Sequence, residues 1–170
     1  MNPPDGTVRI VLAGIGNEMR HDDGAGPVVA NRAARLAGAR LSDALASPLN
    51  EPLDLLDYWD GADLAIVVDA VRSGAAPGTV TLTWLEGPGD ALPPAGGGRP
   101  STHGLGVADV YRLAREIGQA PRRVAIVGIE GRDFTHGEGL SAPVDAGAAR
   151  AAALVLDLVR EAMEEGPRPG

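Results

Sequence analysis

Gly14-Ile15-Gly16-Asn17-Glu18-Met19-Arg20-His21-Asp22-Asp23-Gly24-Ala25-Gly26-Pro27 gathers carboxylates, an amide and a histidine into one glycine-rich stretch. Asn17, Glu18, His21, Asp22 and Asp23 are the side chains there that can bind a cation or move a proton. A second carboxylate, Asp69, ends the apolar run Leu64-Ala65-Ile66-Val67-Val68. A histidine, His103, follows Ser101-Thr102 at the entrance of a helical pattern. An Asp, a further Asp or Glu, and a His with open positions suit a divalent metal such as nickel or zinc. Plainer roles stay open for each residue. Asp22 or Asp23 could cap the following helix, Asp69 could close a turn, and His103 could be a cap or an exposed histidine. His21 and His136 read as ordinary polar loop residues. A phosphate cradle is disfavoured. Met19 stands where a third glycine would be needed, no Lys-Ser or Lys-Thr follows, and Glu18, Asp22 and Asp23 repel phosphate.

The elements around these residues place them at one edge of a sheet. Residues 8–13 read as a short buried strand ahead of the glycine stretch. A helix runs from about Pro27 to Ala37, stopped near Gly38, with Val29, Ala33, Leu36 and Ala37 as its apolar stripe. Leu41 to Ala46 is a weak strand candidate, and Leu53 to Trp59 a short helical piece carrying Leu55, Leu56 and Trp59 inward. Leu64 to Asp69 reads as a central parallel strand, apolar on both faces. After Pro77-Gly78, Val80 to Trp84 alternates. The about ten residues between these two strands are too few for a helical crossover, so the second should run antiparallel to its neighbour.

Gly87 to Pro100 reads as a long mobile loop of the kind that often serves function. A helix follows from Gly104 to Ile117, with Val107, Val110, Tyr111 and Ala114 on one face. Arg123 to Ile129 is another buried strand, and Glu130 to Ser141 a loop holding Asp133, His136 and Glu138. The last helix, Pro143 to Glu165, has Ala152, Val155, Leu156, Val159 and Met163 at core spacing. The alternation implies a three-layer α/β/α sandwich with a mostly parallel sheet. Right-handed crossovers bring the C-terminal strand ends to one edge, where α/β folds place their sites.

Composition narrows the chemistry. The 170 residues suit one domain, with its core between about residues 8 and 165. Aromatics are only 3%, so the core must be built from Ala, Val, Leu and Ile. A net charge of −8 opposes nucleic acid and anionic membranes. The chain has no Cys, which excludes a thiolate nucleophile and thiolate metal ligands. No segment is apolar enough to span a membrane, and the N-terminus lacks the pattern of a secretory leader. A soluble cytoplasmic protein is the expectation.

Four stretches, in order, resemble a known family. Gly14-Ile15-Gly16-Asn17 with Asp22-Asp23-Gly24-Ala25-Gly26-Pro27 resembles the N-terminal signature of the nickel–iron hydrogenase maturation proteases. Val67-Val68-Asp69-Ala70 followed by Pro77-Gly78-Thr79-Val80 is similar to their second signature. Ser101-Thr102-His103-Gly104-Leu105-Gly106-Val107-Ala108-Asp109 is similar to their third. Val127-Gly128-Ile129-Glu130-Gly131 resembles the strand and loop that come after. The resemblance implies a three-layer sandwich on a five-stranded mixed sheet with one antiparallel strand. It implies an endopeptidase that removes a C-terminal extension from a hydrogenase large-subunit precursor once nickel is inserted. The family's metal-contacting and catalytic positions map onto Asp23, Asp69 and His103. The nickel would be carried by the substrate, with no organic cofactor, and the protein would act as a monomer. One departure stands out. Where many members carry Asp-Gly-Gly, this chain has Ser47-Pro48-Leu49-Asn50, with no carboxylate at position 47.

Two other readings remain open. A non-catalytic nickel-sensing maturation chaperone would use the same residues without cutting. Peptidyl-tRNA hydrolases also begin with a strand and a Gly-x-Gly-Asn loop. The −8 charge and Asp22-Asp23-Gly24, in place of a Thr-Arg-His-Asn pattern, argue against that relation.

Overall fold

The computed structural model describes residues 7–40, 43–49, 51–87 and 106–167. Five strands form one sheet: β1 (Ile10–Ile15), β2 (Asp43–Leu49), β3 (Leu64–Val71), β4 (Val80–Leu85) and β5 (Arg123–Glu130). The helices are α1 (Ala25–Ala37), α2 (Leu56–Trp59), α3 (Val107–Glu116) and α4 (Ala142–Glu165). Among the described residues none is long and apolar enough to cross a membrane. The strand order is β2-β1-β3-β5-β4. β1 pairs parallel with β2 and β3, and β3 parallel with β5; β4 alone is antiparallel. This is the five-stranded mixed sheet the sequence implies. The partner of β4 is β5 rather than its chain neighbour β3. β5 is buried nearly throughout and takes the inner position, while the half-exposed β4 takes the edge.

Period-2 alternation sorts the strand residues into two cores. Ile10, Leu12, Leu64, Ile66, Val68, Ala125, Val127 and Ile129 face α1 and α4. Ala13, Ile15, Ala65, Val67, Val124 and Ile126 face the layer of α2 and α3, where Leu55, Trp59, Val110 and Tyr111 are buried. The predicted face of α3 is the one observed. Two helix stripes differ from the sequence reading. Leu36 is 67% exposed and Met163 42% exposed, because the buried stripe runs through their neighbours Ala37 and Ala162 and leaves these side chains on the solvent side. α4 instead buries Val144, Ala148, Ala151, Val155, Leu158, Val159 and Ala162, and small residues let it lie close to α1.

Boundaries at the glycine stretch differ too. β1 continues through Gly14 and Ile15, and α1 begins at Ala25, two residues before Pro27. Close backbone approach explains the extension. A Cβ on Gly26 would collide with the carbonyl oxygens of Ile15 and Val68, and one on Gly14 would collide with the Gly26 carbonyl. The first turn of α1 therefore sits directly on the ends of β1 and β3. β2, a sheet edge, slips in register against β1: Ala13 faces Leu45 but Ile15 faces Leu49. The irregularity spans Ser47 and Pro48, and an edge or bulge is where a strand tolerates proline. The predicted loop 87–100 lies, beyond residue 87, outside the described residues.

Gly26→Ala is expected to cost about 1–3 kcal/mol by overpacking. That is a Tm drop of roughly 2–12 °C for a chain of this size. An unchanged melting curve would contradict the close approach.

Candidate functional site

The chain turns one way from β1 to β2 and the other way from β2 across β1 to β3, so the sheet's switch point lies between β1 and β3. Crevices at the C-terminal ends of strands at such a point are where open α/β sheets hold ligands. Asp69 sits there on β3, level with Ile15 at the end of β1. Asp23 reaches the same place from the short 3-10 turn His21–Gly24 that precedes α1.

Asp23 does not cap the helix. One of its oxygens accepts the Asn17 N–H at 3.0 Å, closing the loop onto itself. Asn17 in turn accepts the Met19 N–H at 2.9 Å through its side-chain oxygen. Asp69 is in a different state. Burial and then the nearby charge of Asp23 push its carboxyl up to about 8, against a smaller opposing pull from the Ala70 N–H. Two carboxylates thus lie closely enough for the charge of Asp23 to disfavour a second charge on Asp69, which keeps its proton at neutral pH.

Asp22, next door, has a structural task. It is fully buried. Its carboxylate accepts the N–H groups of Arg132 and Asp133 at 2.8 Å, the Ser141 N–H at 2.7 Å and the Ser141 hydroxyl at 2.8 Å. Burial acts to raise its pKa, but these donors together outweigh burial and hold it below its ordinary value. Backbone bonds continue the strap. Asp22 N–H donates to Asp133 O, His21 N–H to Gly137 O, and Gly137 N–H to Met19 O. His21 adopts a φ of 44° and its Nδ1 lies 3.0 Å from Gly139 O. Gly137 is required, since a Cβ there would run into the His21 ring.

Glu130, at the end of β5, is the other buried carboxylate among the described residues. It accepts the Ser73 N–H and hydroxyl and the Gly74 N–H, tying the turn after β3 to β5. Sequence reading left Glu130 and Asp22 without these tasks. The signal for Glu130 was the same as for Asp69, a carboxylate ending an apolar strand. His136 and Glu138 are exposed loop residues. His103 lies outside the described residues. Among those described, no three His, Asp or Glu side chains gather in a metal-holding cluster. What the structure brings together is the pair Asp23 and Asp69, suited to holding a cation or sharing a proton.

Fold and site define an open α/β sandwich with a carboxylate pair at its switch point. Residues 50–158, more than half of the chain, match the family model described as HycI, hydrogenase maturation protease. The chain is 32% identical over 158 residues to the hydrogenase expression/formation protein HupM of Azotobacter chroococcum mcd 1, covering 89% of this chain and 72% of that one. It is 30% identical over 140 residues to HupD of Rhodobacter capsulatus, covering 82% of this chain and 65% of HupD, slightly under two thirds of that relative's length. Among solved structures, the hydrogenase maturating endopeptidase HybD from E. coli superposes with a TM-score of 0.76 at 27% identity, covering 91% of this chain and 93% of that one. The chain belongs to the hydrogenase maturation protease family, and its class is that of a peptidase.

Asp22→Ala should cost about 3 kcal/mol, because four donors lose a charged acceptor. Urea unfolding would read the loss, and faster hydrogen exchange at Arg132, Asp133 and Ser141 would localise it. Asp69 gives a pH signature. Its folded pKa lies above the unfolded value of 3.8, so the folded state holds the extra proton and stability falls as pH rises from about 4 to about 8. The slope is at most about 1.4 kcal/mol per pH unit, one proton's worth, and solvent at the partly exposed side chain narrows the window rather than the slope. Asp69→Asn should therefore gain stability over wild type across that window. Parallel pH–stability curves for the two proteins would refute the raised carboxyl.

Proposed function

We propose that this protein is the endopeptidase that removes the C-terminal extension of a nickel–iron hydrogenase large-subunit precursor in the cytoplasm, after nickel insertion. The observation that carries the reading is the juxtaposition of Asp23 and Asp69 at the switch point in a chain of this family. Asp23, Asp69 and His103 are the proposed contacts to the metal and the reacting group, and the nickel is part of the substrate.

Donor chemistry supports a substrate-borne metal. Two carboxylates and one imidazole are an incomplete and hard set for nickel, and a chain without Cys has no thiolates to add. The remaining ligands must then come from the precursor. Asp69 takes part as a carboxylate only after losing its proton, and a divalent cation facing Asp23 and Asp69 would drive that loss. The paired carboxylates therefore discriminate between loaded and unloaded precursor, since affinity differs between the two. A precursor held through its metal also presents its peptide at a fixed place beside the pair, an orientation effect. A carboxylate at that position can accept a proton from an attacking water.

Asp69→Asn and His103→Ala are each expected to lower processing of nickel-loaded precursor by at least about a hundredfold, while Asp69→Asn stays folded. The mass of the precursor before and after incubation is the readout. Wild-type rates from both variants would sink the reading. Equal cleavage of nickel-free and nickel-loaded precursor would remove the metal's role, and intact precursor with wild-type protein would favour a non-cutting chaperone.

A further inference from the structure

The loops after β1, β3 and β5 also border a shallow, open cleft of about 700 Å³, lined by Arg20, Arg72, Arg132 and Phe134 among others. Phe134 organises two of the three cations. The Arg72 guanidinium stacks 3.8 Å from the Phe134 ring centroid, and Arg20 Nε donates to the Phe134 carbonyl at 3.2 Å. Stacking occupies the face of a guanidinium and leaves its in-plane N–H groups pointing outward, the geometry that grips a carboxylate with two hydrogen bonds. All three arginines are exposed. Among the described residues none of them forms an ion pair with a carboxylate. Among the described residues one carboxylate lines the cleft, Asp133; its Oδ1 accepts the Thr135 N–H and hydroxyl, and these bonds together with the charges of His21 and Arg132 hold it below its ordinary value.

A local excess of cations is unusual on a chain of net charge −8. The overall charge repels long polyanions such as nucleic acids, but three arginines on one small cleft suit a few carboxylates. Neither member of the carboxylate pair lines the cleft, but two of its arginines stand near the pair along the chain. Arg72 follows Asp69 by three residues and Arg20 precedes Asp23 by three, so each Cα lies within about 11 Å of its neighbour in the pair.

We propose that this cleft binds the acidic side chains of the peptide segment next to the scissile bond, with Arg20, Arg72 and Arg132 as substrate-binding residues. The proposal rests on the precursor-processing reading for the identity of the peptide, but not for the chemistry of the cleft. Fluorescence anisotropy of the full chain with a labelled, C-terminally amidated Gly-Glu-Gly-Glu-Gly peptide tests the chemistry directly. Binding about tenfold tighter than to the Gln counterpart is expected, weakening with salt and falling about tenfold in Arg72→Gln/Arg132→Gln. Arg35→Gln, on the exposed face of α1, should change nothing. Equal binding of the Glu and Gln peptides, or an unaffected double variant, overturns the proposal. If the double variant fails to fold, Arg132→Gln alone is the deciding variant, because among the described residues its exposed side chain has no hydrogen bond or ring contact to lose, only its charge beside Asp133. With nickel-loaded precursor, KM should rise about tenfold in the double variant with kcat unchanged. A precursor cut with unchanged KM would overturn the cleft's role and leave the processing reading intact. An uncut precursor together with selective binding of the Glu peptide would do the reverse.

Discussion

The buried carboxylate of Asp22 is the constraint on which the site depends. Two loops leave the same sheet edge, one after β1 and one after β5, and nothing in their sequences makes either rigid alone. Asp22 brings donors from both ends of the β5 loop, Arg132, Asp133 and Ser141, onto one side chain. Ser141 is also the residue before α4. A single charge therefore ties the entrance of α1, the β5 loop and the start of the longest helix together. A charged acceptor suits this task because charge-assisted bonds are about twice as strong as neutral ones. Asp23, the next residue, is positioned as a consequence. Its neighbour is fixed on one side, and its own oxygen is bonded to Asn17 on the other.

Asp69 and Glu130 make the complementary point about what a carboxylate at a strand end means. Both follow apolar runs near the C-terminal ends of inner strands that pair directly in parallel, Asp69 opposite Gly128 and Glu130 two residues further on. Glu130 receives three donors from Ser73 and Gly74 and serves the fold. Asp69 faces another carboxylate and has only the Ala70 N–H acting in its favour, so its proton is held tightly. Folded proteins rarely leave such a group without partners unless something else uses it. The supply of donors, and not the position along the strand, separates these two acids.

That distinction also marks how far the sequence could be read. The layered sheet and its antiparallel edge strand followed from strands that are apolar on both faces and from one short connection. Asp69 stood out as a carboxylate closing an apolar run, while Asp23 was singled out within its loop by the family resemblance. The strap of Asp22 did not, because its partners are backbone N–H groups about 110 residues away, and backbone donors leave no mark on residue type. The glycine boundaries were misjudged for a similar reason. Gly14 and Gly26 read as turn formers, but they are there so that α1 can rest on the carbonyls of β1 and β3. The arginine cleft was invisible as well, since Arg20, Arg72 and Arg132 stand in three separate loops and converge only through the sheet.

These features act in one direction. The strap holds Asp23 close to Asp69, and Asp69 keeps its proton rather than set a second charge beside the first. On the proposed reading, a cation brought by the substrate releases the Asp69 proton, so the site gains most from the ligand that the pair lacks. The arginines carry the opposite preference on the same sheet edge. A substrate that offers a metal to the carboxylates and acidic side chains to the arginines satisfies both at once, and a ligand with only one of the two leaves the other unmatched. On that reading specificity arises from the separation of charge between the pair and the cleft, in a chain that has no cysteine.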